Sequence, residues 1–312
     1  MSDEFTSAAE AVFRRSPSGI DALRELEWTP ALDLTDAYSA ESFVAVFRAQ
    51  GRSLATTPAL GLLIAQRLGV AEGPGDLETI ASYRAGSQGG EVAATVSGAS
   101  LVAERIVVDT GADAVFVGKP SDFSLSGPQP LDDAYVNVTA DVAALERVFV
   151  EDLEAQRTEA ERLARLASAL EMLGASEQLM QMAVSYTQER KQFGSPIGSF
   201  PAVQQILAAA EVELVGLRNC CDVVMGEAVG SVAPSPLHDA MLVKALAGRT
   251  SRRIAQAALQ CLGAVGFTWE NDHHRYQRRT LTLDALFGSY HELVAQLGAI
   301  GTQSGLRRVG VL

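Results

Sequence analysis

Apolar side chains after residue 150 recur every three or four positions over stretches much longer than one helical turn, and this spacing limits the possible folds most. The residues that follow it are Leu163, Leu166, Leu170 and Leu173, and then Val203, Ile206, Leu207, Ala210, Leu214 and Leu217. Glycine and proline interrupt the pattern near residues 194–201, 230–236 and 263–272. Four long helices joined by three loops are therefore predicted, packed as a bundle.

The first half of the chain has two other sequence patterns. Up to about Gly69 the apolar spacing predicts short helices, with Thr57 and Pro58 as a start signal and Gly69 as a stop. Beyond it, short β-branched runs alternate with Gly, Ser, Asp and Pro, which predicts a small antiparallel β domain of meander type. The runs are residues 92–96, 101–108, 114–117 and 135–138, and residues 120–130 are predicted as a surface loop.

These patterns predict an α+β fold that is mainly α. Its parts are a helical N-terminal domain over residues 1–72, a middle β domain over 73–150 and a C-terminal helical bundle over 151–312.

The charge and the N-terminus exclude several classes of protein. Acidic residues outnumber basic ones 38 to 25, and the net charge of −13 argues against nucleic acid or an anionic membrane as the main partner. The start of the chain, Met1-Ser2-Asp3-Glu4, is unlike a signal peptide, so we expect a cytoplasmic protein. Cys220, Cys221 and Cys261 have neither CxxC spacing nor a nearby histidine, which favours reduced thiols over disulfides or zinc.

The most specific segment joins the first two long helices. It reads Tyr186-Thr-Gln-Glu-Arg190-Lys-Gln192-Phe193-Gly194-Ser-Pro196-Ile197-Gly-Ser-Phe200-Pro-Ala-Val203-Gln204. An arginine at a helix end beside an aromatic residue and a glycine can pair its planar guanidinium with a pyrophosphate while the ring packs on a heterocycle. That combination suits a dinucleotide. The alternative is that Arg190 is only a helix-terminal charge and Phe193 a core residue.

A second segment is Gln260-Cys-Leu-Gly263-Ala264-Val-Gly266-Phe267-Thr268, which provides an amide and a backbone that another group can approach closely. The two segments resemble the acyl-CoA dehydrogenase family, whose second stretch reads Q-x-x-G-G-x-G-x-T, with Ala264 here in place of the second glycine. A weaker third match runs from Phe47 to Pro58. The similarity is good from about residue 163 to 293 and only general before that.

The resemblance implies the family fold of helical domain, β domain and four-helix bundle, which is the order reached above from the patterns. It also implies that the chain binds the adenosine diphosphate part of an FAD seated mainly in a neighbouring subunit. The residues so implied are Arg190, Gln192, Phe193, Gln260 and Gly263.

Family members remove the α proton of an acyl-CoA with a glutamate while the flavin takes the β hydride. The resemblance places that base in a loop before the last helix, where this chain has Gly288, or on the helix preceding the arginine motif, where it has Ala164. Both positions lack a carboxylate, so no catalytic residue is assigned. Glu161 is the first alternative, followed by Asp284 and Glu292. The histidines 273, 274 and 291 form no metal spacing, and the adjacent pair is expected on an exposed loop.

The resemblance also implies contacts to the flavin ring that this chain lacks. Residues 79–90 contain no Thr-Glu-Pro-type loop, and no tryptophan lies between Trp28 and Trp269. The hypothesis is therefore a non-catalytic, shortened partner of a catalytic acyl-CoA dehydrogenase subunit, similar to the heterotetramers of actinobacteria that act on steroid side-chain CoA thioesters. Its other expected partners are an acyl-CoA substrate and an electron-transfer acceptor. The alternatives are a homomeric enzyme with a displaced base such as Glu161, or an acyl-CoA-binding or structural relative without flavin.

Overall fold

The computed structural model describes residues 3–30, 33–71, 79–82, 84–98, 101, 103–229 and 237–304. Nine helices occur in these residues: α1 (Asp3–Arg15), α2 (Asp21–Glu25), α3 (Ala37–Ser53), α4 (Ala59–Arg67), α5 (Leu153–Glu189), α6 (Pro201–Ala228), α7 (Leu237–Leu262), α8 (His273–Ala285) and α9 (Tyr290–Ser304). The strands are β1 (Thr79–Ala81), β2 (Arg84–Gln88), β3 (Glu91–Ser97), β4 (Arg105–Val108), β5 (Val115–Gly118), β6 (Ser124–Leu125), β7 (Tyr135–Asp141), β8 (Glu146–Val148), β9 (Lys191–Gln192) and β10 (Ser195–Pro196). The predicted class, α+β and mainly α, is confirmed.

Helix α5 is the centre of the molecule. It is 37 residues long, and between Arg162 and Glu177 every side chain is buried, so this stretch is covered on all sides. One hydrophobic core joins α5 to helices α1 to α4 and α6 to α8 and to one face of a sheet, whereas α9 packs in a small separate cluster on α7.

Helix α3 crosses α5 at two glycines. A Cβ added to Gly174 of α5 would lie 2.0 Å from the carbonyl oxygen of Arg48, and one added to Gly51 of α3 would lie 1.9 Å from the carbonyl oxygen of Glu171. Real Cβ atoms do not approach backbone atoms so closely, so the crossing depends on having glycine on both helices.

The β region differs from the predicted meander. It forms two four-stranded sheets, ordered β1-β4-β5-β8 and β2-β3-β7-β6, and β1 pairs with β4 in parallel. Val107 of β4 packs in the helical core, whereas its neighbours Ile106 and Val108 pack in a second core between the sheets. A strand buried on both faces is apolar throughout, so the sequence does not reveal which sheet it joins.

Element boundaries in the β region also differ from the expected ones. The run predicted over residues 101–108 is a strand only from Arg105. The loop predicted over residues 120–130 contains the short edge strand β6. Its residues Ser124 and Leu125 are exposed, as in a surface loop. Strands β1, β2 and β8 were not predicted. The boundary proposed at residues 72 and 73 lies outside the described residues.

The C-terminal helices number five in the described residues, not four. The predicted breaks at residues 194–201 and 263–272 are present, and that at residues 230–236, with its start signal at Ser235 and Pro236, lies outside the described residues. A further break at residues 286–289 separates α8 from α9, where Phe287 and Gly288 have φ values of 57° and 99°. Consecutive residues in this left-handed region cannot continue a helix.

The histidine pair does not lie on an exposed loop as predicted. His273 begins α8 with 1% of its surface exposed, and its Nε2 lies 2.8 Å from the carbonyl oxygen of Ala255. Burial lowers the pKa of His273. His274 is half-buried against the ring of Trp269. Neighbouring residues of a helix point in different directions, and so the pair is split between core and surface.

A buried polar network connects the first helices, the β region and α8. The guanidinium of Arg279 donates to Glu171 Oε1 at 2.7 Å and to the carbonyl oxygen of Ala55 at 2.9 Å, and it also bonds to Asp132. Gln50 donates to the other oxygen of Glu171 at 2.9 Å. Burial raises the pKa of Glu171 even with this cation beside it. The network fixes α3, α5, α8 and the segment before β7 to one another.

Within the described residues, no helix combines the length and the apolar character that crossing a lipid bilayer requires.

Candidate functional site

Arg190 is the C-cap of helix α5, directly after its last residue, Glu189. Its backbone N–H donates to the carbonyl of Tyr186 at 2.9 Å, and its φ and ψ of −70° and 120° turn the chain out of the helix. The N–H of Ile197 donates back to the Arg190 carbonyl at 2.8 Å, which closes the loop. The side chain of Arg190 is exposed, and among the described residues its guanidinium has no ion pair. It is therefore available to an external anion.

Phe193 lies at the tip of the hairpin formed by β9 and β10. Phe193 and Gly194 both have positive φ, 51° and 80°, as a two-residue hairpin turn requires. A bulky residue rarely adopts this conformation, and 94% of the Phe193 surface is exposed. The alternative that Phe193 is a core residue is therefore wrong. Gln192, the preceding residue, is also exposed.

Gln260 and Gly263 occupy the last turn of α7 and the residue just after it. Both are exposed, and Gly263 has a φ of 61°. Helices α5 and α7 run in the same direction. Ser176 of α5 bonds to Ser251 of α7 at 3.1 Å. Arg165 and Lys244, which precede these serines on their helices, both contact the 286–289 break, so both helices approach that break with their N-terminal halves. The C-terminal ends of these helices, with Arg190 and Gln260, thus lie at one end of the bundle.

The two positions where the resemblance places a base meet near the other end of α5. Ala164 is completely buried, and Nε of the adjacent Arg165 donates to the carbonyl of Phe287 at 3.0 Å. A Cβ on Gly288 would lie 2.7 Å from Cδ2 of Leu293, on a backbone that already has positive φ. The structure thus leaves no space for a glutamate side chain at Gly288 without rearrangement.

The three alternative carboxylates already have partners. Glu161 is half-exposed and pairs with Arg165 at 2.6 Å. Asp284 accepts from Arg252 at 2.8 Å and from the backbone of Tyr290 at 3.0 Å, and Glu292 accepts from the backbone and hydroxyl of Ser289 at 2.8 Å. A general base must direct a free lone pair at the substrate, and these hydrogen bonds hold all three carboxylates on other groups.

Lys244 also contacts the 286–289 break, and no motif in the sequence identifies it. Its side chain is completely buried, and Nζ donates to the carbonyls of Asp284 at 3.2 Å and Gly288 at 3.1 Å. Burial lowers the pKa of Lys244 to about 8, although Asp284 acts in the opposite direction. Its position in an apolar helical stripe, between Val243 and Ala245, is the sequence signal that could have identified it.

The lowered pKa of Lys244 predicts a specific pH dependence. Between about pH 8 and the ordinary lysine pKa of 10.5 the unfolded chain binds more protons than the folded one, so the free energy of unfolding rises with pH in this window. We expect the wild-type chain to gain stability relative to Lys244→Met from pH 7.5 to about 10. Urea denaturation of both variants at each pH measures this difference. A difference that does not change with pH would contradict a buried ammonium at this position.

The FAD implied by the resemblance can be compared with these residues. Its anionic and aromatic adenosine diphosphate half fits the free guanidinium of Arg190, the outward ring of Phe193 and the open backbone at Gly263. The ring half fits poorly, because the described part of residues 79–90 forms β1, β2 and the turn at Gly89 and Gly90, without a Thr-Glu-Pro-type segment.

Comparisons with known proteins agree with this geometry. The model of the acyl-CoA dehydrogenase C-terminal domain matches residues 158–298. The acyl-CoA dehydrogenase FadE34 of Mycobacterium tuberculosis is 31% identical over 236 residues, which are 74% of this chain and 30% of that protein. The chain thus spans under a third of the length of this curated relative.

Two solved structures have a similar fold over almost the whole chain. One is the ChsE4-ChsE5 complex from Mycobacterium tuberculosis, with a TM-score of 0.73, 20% identity and 97% of both chains covered. The other is the Tcur3481-Tcur3483 steroid acyl-CoA dehydrogenase, with a TM-score of 0.73, 19% identity, and 96% of this chain and 97% of that one covered. The match of residues 158–298 to the family model, together with the two motifs at the ends of α5 and α7, shows that the C-terminal helical domain of this chain is an acyl-CoA dehydrogenase domain, and the two solved structures show that the fold extends over almost the whole chain.

Proposed function

We propose that this chain is the non-catalytic partner in a two-chain acyl-CoA dehydrogenase. In this proposal Arg190, Phe193 and Gln260 complete the FAD site of a catalytic subunit that carries the base. The observation that carries it is a contrast within the chain: the residues for the distal half of the cofactor are exposed at one end of the bundle, whereas Ala164 and Gly288 leave no carboxylate at the base positions.

Each exposed residue has a definite role in this proposal. The guanidinium of Arg190 pairs with the pyrophosphate through charge-assisted hydrogen bonds. The ring of Phe193 packs on the adenosine part, the amide of Gln260 bonds to it, and Gly263 lets the backbone approach. When bound, the flavin supplies the hydride acceptor for α,β-dehydrogenation of an acyl-CoA thioester.

The proposed assembly is a heterotetramer in the cytoplasm with a bulky substrate, such as a steroid side-chain CoA thioester. Its support is the likeness to one chain of a two-protein complex and to an assembly whose name includes a steroid acyl-CoA dehydrogenase. Electrons would leave through a separate electron-transfer acceptor.

The two alternatives fit less well. A homomeric enzyme using Glu161 would need a carboxylate that is half-exposed and paired with Arg165 to act as a base. A relative without flavin would leave the strained, outward Phe193 and the free guanidinium of Arg190 without a purpose.

The proposal predicts that this chain purified alone holds no stoichiometric flavin and does not dehydrogenate acyl-CoA. Co-expressed with a catalytic acyl-CoA dehydrogenase subunit that is its partner, it should give a complex with bound FAD. In that complex Arg190→Gln should weaken FAD binding about 10- to 100-fold, because a hydrogen bond to a charged group contributes about 1.5–3 kcal/mol. Flavin absorbance per complex during FAD titration measures this.

The matched control is Arg253→Gln, which removes an exposed arginine of α7 that pairs with Glu213. It should leave the FAD affinity unchanged. Stoichiometric FAD together with turnover by the chain alone would refute the proposal.

A further inference from the structure

A cavity of about 490 Å³ opens to solvent where the N-terminal helices, the β region and α8 meet. This volume lies within the range of pockets that hold small molecules. We call it the junction cavity. It shares no lining residue with the proposed FAD site. The lining residues that matter here are Ser18 and Thr56 from the loops after α1 and α3, Gly98 and Asp133 from the β region, and Arg275 and Arg278 from α8.

The walls of the junction cavity are held by backbone hydrogen bonds. The N–H of Gly19 donates to the carbonyl of Thr56 at 2.9 Å, and the N–H of Thr56 donates to the carbonyl of Pro17 at 2.7 Å. In the β region, the N–H of Gly98 donates to the carbonyl of Ala134 at 2.8 Å. The cavity therefore has its shape before anything binds, and little ordering cost opposes a ligand.

Arg278 lines this cavity with an incompletely paired guanidinium. Its Nε is buried and has no hydrogen-bond partner among the described residues. Its Nη2 lies 3.6 Å from a carboxylate oxygen of Asp133, which is beyond hydrogen-bond distance. The adjacent Arg279, by contrast, bonds to both Asp132 and Glu171. A buried donor without a partner is rare in folded proteins, so Arg278 indicates a place for an external acceptor.

A second guanidinium lies beside it. Arg275 and Arg278 are three residues apart on α8, so they lie on the same face of the helix. Arg275 is 53% exposed and pairs with the equally exposed Asp272, and a pair of this kind contributes little stability. Asp133 is 86% exposed, so its carboxylate can turn from Arg278 into water. Two cations can thus act together on one anion.

We propose that the junction cavity binds the phosphoryl group of a small molecule. Arg275 and Arg278 bind its oxygens through charge-assisted hydrogen bonds. The hydroxyl groups of Ser18 and Thr56 act as neutral donors. Thr56 Oγ1 accepts from Arg279 at 3.4 Å and keeps its own proton to donate.

The charge and the shape of a phosphoryl group fit these donors better than those of a carboxylate. A phosphate monoester carries a charge of about −1.5 to −2 at pH 7 and three acceptor oxygens, whereas a carboxylate carries one charge on two oxygens. The phosphoryl group fills only part of the cavity, which leaves space for an organic part of the ligand. The net charge of the chain is −13, so it attracts no anion in general, and binding must come from this local arrangement.

The inference goes beyond the proposed function, and its test uses the full wild-type chain free of flavin. Titration calorimetry with inorganic phosphate, at about pH 7.5 and low ionic strength, should show one site per chain with a dissociation constant of about 1 mM or below. Glycerol 3-phosphate is the second probe. Tighter binding of this ester identifies a phosphorylated metabolite as the ligand, and equal or weaker binding identifies free phosphate.

Two variants should change the affinity in opposite directions. Arg278→Met should weaken phosphate binding at least about tenfold, because it removes hydrogen bonds from a charged donor. Asp133→Asn should tighten it about threefold or more, because the carboxylate that competes for Arg278 is gone. A gain in affinity cannot result from misfolding. The matched control is Arg147→Met, which removes a 48% exposed arginine of β8 paired with Asp113, and it should leave binding unchanged.

Three results would each overturn the proposal. The first is the absence of saturable binding up to about 20 mM phosphate. The second is an affinity that Arg278→Met leaves unchanged or that Asp133→Asn lowers. The third is loss of phosphate binding in Arg190→Gln, because the ion would then lie at the exposed hairpin. None of these results bears on flavin binding in the heteromer, so the proposed function would stand or fall separately.

Discussion

Replacing Arg279 with methionine should lower the free energy of unfolding by about 3–5 kcal/mol, because it leaves a buried carboxylate without its cation. Glu171 is 1% exposed, and it would keep only the amide of Gln50. Asp132 would lose its bond to Arg279 as well. Urea denaturation at neutral pH measures the loss.

The same variant should respond to pH in a defined direction. Burial already raises the pKa of Glu171, and removal of Arg279 raises it further. A carboxyl whose folded pKa lies above its unfolded pKa favours the folded state at low pH and loses this contribution as pH rises. Arg279→Met should therefore be less destabilised at pH 5 than at pH 8.

Two further variants test the cause of the loss. Arg275→Met removes another arginine of α8, but this one is 53% exposed and pairs with Asp272, so the change should stay within about 0.5 kcal/mol. Adding Glu171→Gln to Arg279→Met should recover part of the stability, since no charge then remains buried beside the missing guanidinium. Equal losses for Arg275→Met and Arg279→Met would show that the network is not what stabilises this junction.

Gly174→Ala is expected to lower the free energy of unfolding by about 3 kcal/mol or more, at the upper end of overpacking effects. The added methyl group would lie 2.0 Å from a backbone oxygen of α3, and backbone cannot swing aside as a side chain does. Helices α3 and α5 must then separate, which opens the packing on both sides of the crossing. Thermal denaturation followed by circular dichroism measures the effect.

The control has the opposite sign. Gly298 lies in exposed α9, and a Cβ there meets nothing within 4 Å. Gly298→Ala should stabilise the chain by about 0.5–1 kcal/mol, since alanine loses less backbone freedom on entering a helix. If both glycine variants changed stability in the same direction, steric contact at Gly174 would not be the cause.

The helices were predictable because their signals are local. The spacing of Leu163, Leu166 and Leu170 is visible without knowing what they contact. Helix α4 starts where Thr57 and Pro58 predicted, although its N-cap is Pro58 and not Thr57; Thr57 Oγ1 accepts from the N–H of Ala59 at 3.3 Å. The end of a helix at residues 286–289 was not predicted. Two successive residues with positive φ, Phe287 and Gly288, break the helix there, and phenylalanine seldom adopts this conformation.

The sheets were not predictable in the same way. Whether Thr79 pairs with Arg105 depends on residues far apart in the chain, and a three-residue strand such as β1 has too short a pattern to detect. The parallel pairing of β1 and β4 needs a crossover connection, here through β2 and β3 of the other sheet, and a meander has no such connection.

The sequence predicts which residues form the candidate site, but it does not predict how they are arranged. The motifs identified Arg190, Phe193 and Gln260, but the exposure of Phe193 follows from a hairpin turn that the sequence does not specify. His273 was expected on an exposed loop, and the burial of Lys244 was not predicted. Both have the same cause, because the helices that pack around a polar side chain decide whether it is buried, and a single sequence does not show this packing.

Helix α5 connects Ala164 to Arg190 without a break, a distance of about 39 Å at 1.5 Å per residue. In the proposed two-chain enzyme, a base position without a carboxylate is therefore compatible with intact cofactor recognition, because a single continuous helix keeps the two places far apart.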